Sequence, residues 1–202
     1  MADTTVLTDK AESILAAAWQ AFLARGFGAV SMDMIARDAG ASKATVYAYF
    51  ASKEELFGAV ITREGERYFR GFSAGELDPR AVEASLAEIA HRFLDLVLSP
   101  EAIAINRIII GEAARFPQLG EVFWRAGPER TRVQVEAFLR RAVAAGTLAI
   151  VDTRVAADQF VALLRGDIHQ RQLLRLDDGV DPTELAAAAD AAVATFLRAF
   201  GT

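Results

Sequence analysis

Between Ser31 and Lys53 the chain gathers hydroxyls, two tyrosines and two lysines, with only Asp33 and Asp38 as carboxylates. Tyr47 and Tyr49 stand two apart beside Lys43. On a short helix such aromatics are poor choices for a solvated face and good ones for contacts to phosphates and base edges. Ser31 is placed to cap one short helix carrying Ile35, Ala36 and Ala39, and Ser42 to cap a second. Between them Gly40 supplies the positive φ that a sharp exit from a helix requires. Ala36 is small where two helices cross, with Val46 facing it. Short helix, glycine turn and short helix make a helix-turn-helix arrangement, whose second helix can enter a DNA major groove. On spacing alone the segment also fits an ordinary helical bundle. The outward face would present Lys43, Ala44, Thr45 and Tyr47, with Tyr49 and Lys53 at its C-terminal edge and Ser31 and Ser42 at the helix starts.

No second chemistry competes with this one. The 202 residues contain no Cys, which excludes thiol nucleophiles, disulfides and cysteine-based metal centres, and only His91 and His169 remain for a histidine-based site. No third ligand lies at a sensible spacing from either, so no metal and no cofactor is expected. There is no glycine-rich phosphate loop and no GxSxG elbow, so the chain does not read as an enzyme. No apolar run is long enough to span a membrane. The segment MADTTVLTDKAES lacks the basic and apolar regions of a signal peptide, so a cytoplasmic location is expected.

The elements that must position these residues are helical throughout. Forty-one residues are Ala, the best helix former, and no segment alternates as a strand would. Apolar spacing and the Pro and Gly positions predict nine helices near 9–25, 32–39, 43–50, 53–72, 79–98, 100–115, 117–145 (broken near Gly127-Pro128), 153–176 and 182–200. Asp78-Pro79, Ser99-Pro100 and Asp181-Pro182 each place a capping side chain before a Pro at a helix start. Gly146 and Gly179 read as helix stops. The expected architecture is all-α, with a helix-turn-helix domain over 1–52 and a larger helical domain over 53–202. The net charge is −5. The first 53 residues balance five basic against five acidic side chains, so the acidic excess falls in the rest.

The run GFGAVSMDMIARDAGASKATVYAYFASKEELF, with Phe22 and Gly26 before or within it, resembles the N-terminal domain of the TetR/AcrR family of one-component transcriptional regulators. The stretches EAARFPQLGEVFWRAGPERT and LLRGDIHQRQLL resemble the C-terminal domain of its AefR-like branch. Ala41 stands where the family usually carries a bulkier Val, and the N-terminal tail is acidic where some relatives have a basic arm. The resemblance implies a homodimer joined through the last two helices and a ligand-binding C-terminal domain. It further implies a repressor released by a small molecule from a double-stranded operator of two-fold symmetry. The contrasting reading is a helical ligand-binding or scaffold protein that no longer binds DNA.

Under that reading Ser31, Ser42, Lys43, Ala44, Thr45, Tyr47, Tyr49 and Lys53 contact the operator, with Lys53 meeting a phosphate as the fourth helix begins. Phe93, Ile109, Phe123, Trp124, Phe138 and Phe160 are candidates to line a largely apolar pocket, with His169 and one or two of Asn106, Arg107, Glu112 and Arg115 as polar handles. Aromatics at helical spacing equally suit ordinary core. Phe160, Leu164, Ala189, Val193 and Phe196 are candidates for the dimer interface, the alternative being that the last two helices close the monomer's own core.

Overall fold

A computed structural model describes residues 2–68, 77–177 and 179–202. Its helices are α1 (Ala2–Ala29), α2 (Met32–Asp38), α3 (Lys43–Tyr49), α4 (Lys53–Tyr68), α5 (Val82–Val97), α6 (Pro100–Glu112), α7 (Pro117–Ala126), α8 (Pro128–Ala144), α9 (Thr153–Arg165), α10 (Ile168–Leu174) and α11 (Pro182–Phe200). Among the described residues there is no strand, only an isolated bridge between Leu148 and Gly201. No described helix is long and apolar enough to cross a membrane.

The all-α expectation holds, and the differences lie at helix ends. The expected end of the fourth helix, residues 69–72, lies outside the described residues. The break at Gly127-Pro128 falls where the sequence puts it, between α7 and α8. The helix expected over 153–176 is two helices, because Gly166 turns to φ 47°, ψ −144°. α10 ends at Arg175, which takes the left-handed conformation itself, so Gly179 is not its stop. Ser99 and Asp181 cap as expected, the first accepting from the Ala102 N–H and the second from the Thr183 N–H. Asp78 instead accepts from the Arg80 N–H in a turn, and α5 starts only at Val82.

The chain forms two compact units. The first comprises Met1–Gly65 and Ala104–Gly127, so the boundary expected near residue 53 falls inside it. Its core is an aromatic nest. Phe22 and Phe27 stack at 5.7 Å, and Phe57 stands edge-on to both at 5.2 and 5.5 Å. Leu56, Phe57 and Val60 of α4 are fully buried here with Ile14, Ile35 and Val46. That burial is why α4 belongs with the three helices before it. Ile105, Ile109 and Leu119 complete the same core.

The second unit comprises Glu66–Ile103 and Pro128–Thr202. α11 packs against α5 and α9, and α8 against α9. Leu86, Ile89, Phe93 and Leu94 of α5 meet Phe138 and Leu139 of α8, Phe160 and Leu164 of α9, and Ala189, Val193 and Phe196 of α11 in one core. Phe160 and Phe196 lie edge to face at 5.0 Å. Charged clamps surround this core. Arg132 pairs with Glu136 at 3.1 Å. Arg171 pairs with Asp167 and Asp177 at either end of α10 at 3.1 and 2.8 Å, and ties α10 to α11 through Glu184 at 2.5 Å.

Since Phe160 is fully buried within one chain, Phe160→Ala should lower folding stability by roughly 3–5 kcal/mol, the usual cost of an aromatic-to-Ala cavity. Denaturant midpoints checked at several protein concentrations should show a loss that does not vanish at high concentration.

Candidate nucleic-acid interface

The reading unit is built by caps and one glycine. Ser31 Oγ accepts from the Met34 N–H at 3.3 Å and Ser42 Oγ from the Thr45 N–H at 3.0 Å, which starts α2 and α3 where the sequence places them. Gly40 has φ 57°, and the Ala41 N–H donates back to the Ala36 carbonyl at 2.9 Å. A Cβ at Gly40 would meet nothing within 4 Å, so backbone handedness alone requires glycine there. Val46 is fully buried and sets the rotation of α3. The Lys10 ammonium donates to the Gly40 carbonyl at 2.8 Å and Ser13 Oγ to the Ala39 carbonyl at 3.2 Å, fixing the turn to α1.

With Val46 turned in, α3 turns Lys43, Ala44, Tyr47 and Ala48 to solvent. Tyr47 is 45% exposed, unusual for a large aromatic on a packed helix. Thr45 is half-buried, its hydroxyl 2.8 Å from Ser42 Oγ. Tyr49 is half-buried, its ring 6.3 Å from that of Phe50. Lys43 reaches Asp33 of α2 at 2.9 Å, both side chains well exposed. That hydrogen bond and charge raise the Lys43 pKa. An exposed pair of this kind contributes little to stability.

Lys53 is placed differently from its expected position at a phosphate. Its ammonium turns inward and donates to the carbonyls of Phe27 and Val30, both at 2.8 Å. It also sits 4.2 Å from the Phe27 ring centroid. Burial lowers its pKa, against the raising effect of Glu54 and Glu112. The cause is the turn from α1 to α2, where, among the described residues, the Val30 carbonyl has no backbone donor and that of Phe27 has the Val30 N–H at 3.3 Å.

On the other side of that turn stands Glu112 of α6, a candidate pocket handle in the sequence whose role at the turn sequence reasoning missed. Its Oε2 accepts from the Gly28 N–H at 2.6 Å. A Cβ on Gly26 would lie 2.5 Å from Glu112 Oε1, and one on Gly28 2.9 Å from Oε2. These two glycines therefore make room for a carboxylate 84 residues away in sequence. Their shared proximity to one acidic residue was the signal, and no local pattern reveals it.

The remaining candidates separate between the units. Asn106, Ile109, Phe123 and Trp124 belong to the first, and Phe93, Phe138, Phe160 and His169 to the second. Trp124 is 55% exposed. Ile109 and Phe123 pack in the first core, and Phe93, Phe138 and Phe160 fill the second. His169 is half-buried. Phe160, Leu164, Ala189, Val193 and Phe196 are all buried within the second unit, so they face its own core and not solvent. Among the described residues no group of His, Asp and Glu could hold a metal ion.

A capped two-helix unit that holds a tyrosine- and lysine-bearing helix outward is the DNA-reading part of a helix-turn-helix transcriptional regulator. Residues 14–60 match the family model of bacterial regulatory proteins of the tetR family, and residues 84–202 that of the C-terminal domain of AefR-like transcriptional repressors. The chain belongs to the TetR family of transcriptional regulators. It is 26% identical to the HTH-type transcriptional regulator SrpR of Pseudomonas putida over 160 residues, 79% of this chain and 73% of that one. A TetR-family regulator from Mesorhizobium loti superposes with a TM-score of 0.80 at 29% identity, over 97% of this chain and 98% of that one. The flavonoid-responsive regulator FrrA does so with a TM-score of 0.77 at 37% identity, over 96% and 98%. These relatives are regulators and not enzymes.

Tyr47 and Lys53 should part company on mutation. Tyr47→Ala should weaken operator binding about 10- to 100-fold, as for loss of one good base or phosphate contact, with an unchanged melting temperature. Lys53→Met should lower stability on the order of 1–3 kcal/mol by stranding the Val30 carbonyl. Gel shifts and thermal melts on both variants check the contrast. Gly40→Val, β-branched at positive φ, should abolish DNA binding while circular dichroism shows near-native helix content.

Proposed function

We propose that this protein is a dimeric repressor, released from a two-fold operator when a small molecule binds its second unit. The observation that carries this reading is the exposed face of α3. Tyr47, Lys43 and the Ser42–Thr45 hydroxyls are held outward by a unit whose core is complete without them. Ser31, Ala44 and Tyr49 border that face and are proposed to join its contacts. Lys53 is proposed to position the unit rather than to touch a phosphate. The match of residues 84–202 to AefR-like repressors supports repression. The responsiveness of FrrA to flavonoids supports a small effector in the second unit.

Because the inner faces of α9 and α11 are occupied, the dimer is proposed to use their outer faces. These present Val155, Gln159, Ala162 and Leu163 on α9, and Ala187, Ala191, Ala194 and Thr195 on α11. Small residues let helices approach closely, and two helices from each copy make an isologous four-helix bundle. Such a dimer presents two copies of α3 to half-sites about 34–36 Å apart. The effector acts by binding best to the dimer whose reading helices miss that spacing, and shifts the equilibrium only by its differential affinity.

Light scattering at micromolar concentration should give about twice the 21.8 kDa chain mass, and Ala191→Arg should return the monomer. A gel shift against the DNA upstream of the protein's own gene should show a complex. Its absence at low salt would favour the contrasting reading, a helical binding protein without DNA affinity.

A further inference from the structure

The chain has three lysines, Lys10, Lys43 and Lys53, and each holds an oxygen of the protein itself. Lys10 and Lys53 donate to backbone carbonyls at turns. Lys43 differs. It holds a carboxylate, and the pair stands in solvent with side chains 60% and 57% exposed. Both oxygens of Asp33 face its ammonium, at 2.9 and 3.1 Å, as two oxygens of a phosphate would. The Tyr47 ring centroid lies 5.9 Å from the same ammonium. The cation on the outward face of α3 is therefore already occupied, by a residue of α2.

Asp33 also has a second cation at pairing distance along its own helix. It stands in the first turn of α2 and Arg37 in the last. Four residues apart, the two share one helix face, with the acidic residue on the N-terminal side, the favourable order for such a pair. Arg37 is exposed, and its side chain holds no partner among the described residues. A duplex laid against α3 brings phosphates toward Lys43 and a negative field toward Asp33. A carboxylate left between the two would repel the phosphate. Turning it toward Arg37 exchanges one exposed ion pair for another, and such pairs differ little in energy.

We propose that Asp33 occupies Lys43 in the free protein, yields it to a backbone phosphate of DNA and moves to Arg37, so that the strength of binding is set in part by a carboxylate that does not touch DNA. This inference rests on reading the outward face of α3 as the one that meets DNA.

Fluorescence anisotropy with the full-length protein at low salt tests it, on a mixed-sequence duplex of about 30 base pairs, roughly three helical turns. Asp33→Asn keeps the side-chain shape and removes the charge. It should bind about two- to fivefold more tightly than the parent, the range that an exposed ion pair spans. Lys43→Met should bind more weakly and lower the salt slope by about 1. In the Lys43→Met background most of the gain from Asp33→Asn should disappear. Arg37→Met should weaken the parent more than it weakens Asp33→Asn. Thermal melts of all variants should match the parent's, since exposed pairs add little to stability. An equal gain from Asp33→Asn with and without Lys43 would make Asp33 a general repulsive charge and overturn the proposal. Weaker binding by Asp33→Asn would make it a base contact or a support for Lys43, and equal losses from Arg37→Met in both backgrounds would remove the exchange; either overturns it. If the parent binds and Asp33→Asn binds no differently, the proposal falls and the regulator reading stands. If the parent does not bind even at low salt, both fall.

Discussion

The turn between α1 and α2 controls where the reading helices lie in the first unit. A chain that leaves one helix and enters another within a few residues exposes backbone groups, and buried backbone groups must be paired. Here the donors and acceptors come from far away in sequence. One ammonium gathers the carbonyls of Phe27 and Val30, and one carboxylate takes the N–H of Gly28. Phe27 and Phe116, 5.5 Å apart and edge to face, flank that ammonium at 4.2 and 5.9 Å. α2 starts directly after this turn, and α3 is fixed to α2 through Gly40. The direction of the outward face therefore descends from two ionised side chains and the glycines that admit them.

What was legible in the sequence was whatever depends on nearest neighbours. Ser31, Ser42, Asp181 and the break at Gly127-Pro128 act through their own backbone, so residue type and spacing suffice. Arg175 escaped because a left-handed non-glycine residue carries no local mark. Gly166 escaped because a glycine inside a periodic apolar stripe is often tolerated as helix. Lys53 stands out in the sequence as a cation beside the motif, but the sequence does not show which oxygens it meets, a phosphate's or the chain's own.

The buried stripes of α9 and α11 show a related ambiguity. Periodicity says that Phe160, Leu164, Ala189, Val193 and Phe196 face apolar surroundings, and they do. It does not say whether those surroundings belong to the same chain or to another. The structure assigns them to α5, α8, α9 and α11 of one unit. α11 sets Ala187, Ala191, Ala194 and Thr195 on its opposite face beside the exposed Asp190 and Arg198, a run of small residues that a hydrophobicity pattern centred on large residues overlooks.

The pairing of Lys43 with Asp33 bears on how such a protein finds its target in a cell. A genome offers roughly 10⁶–10⁹ competing sites, and attraction to all of them is set by the phosphates that a protein can neutralise. A lysine that already holds a carboxylate offers less to a random stretch of duplex. On the proposed reading, the protein would spend less of its time trapped on irrelevant sequence, leaving more of it free for the few sites that Tyr47 is proposed to contact. Weak charge on the proposed reading face would then be a means of fast exchange, with discrimination left to shape and hydrogen bonding.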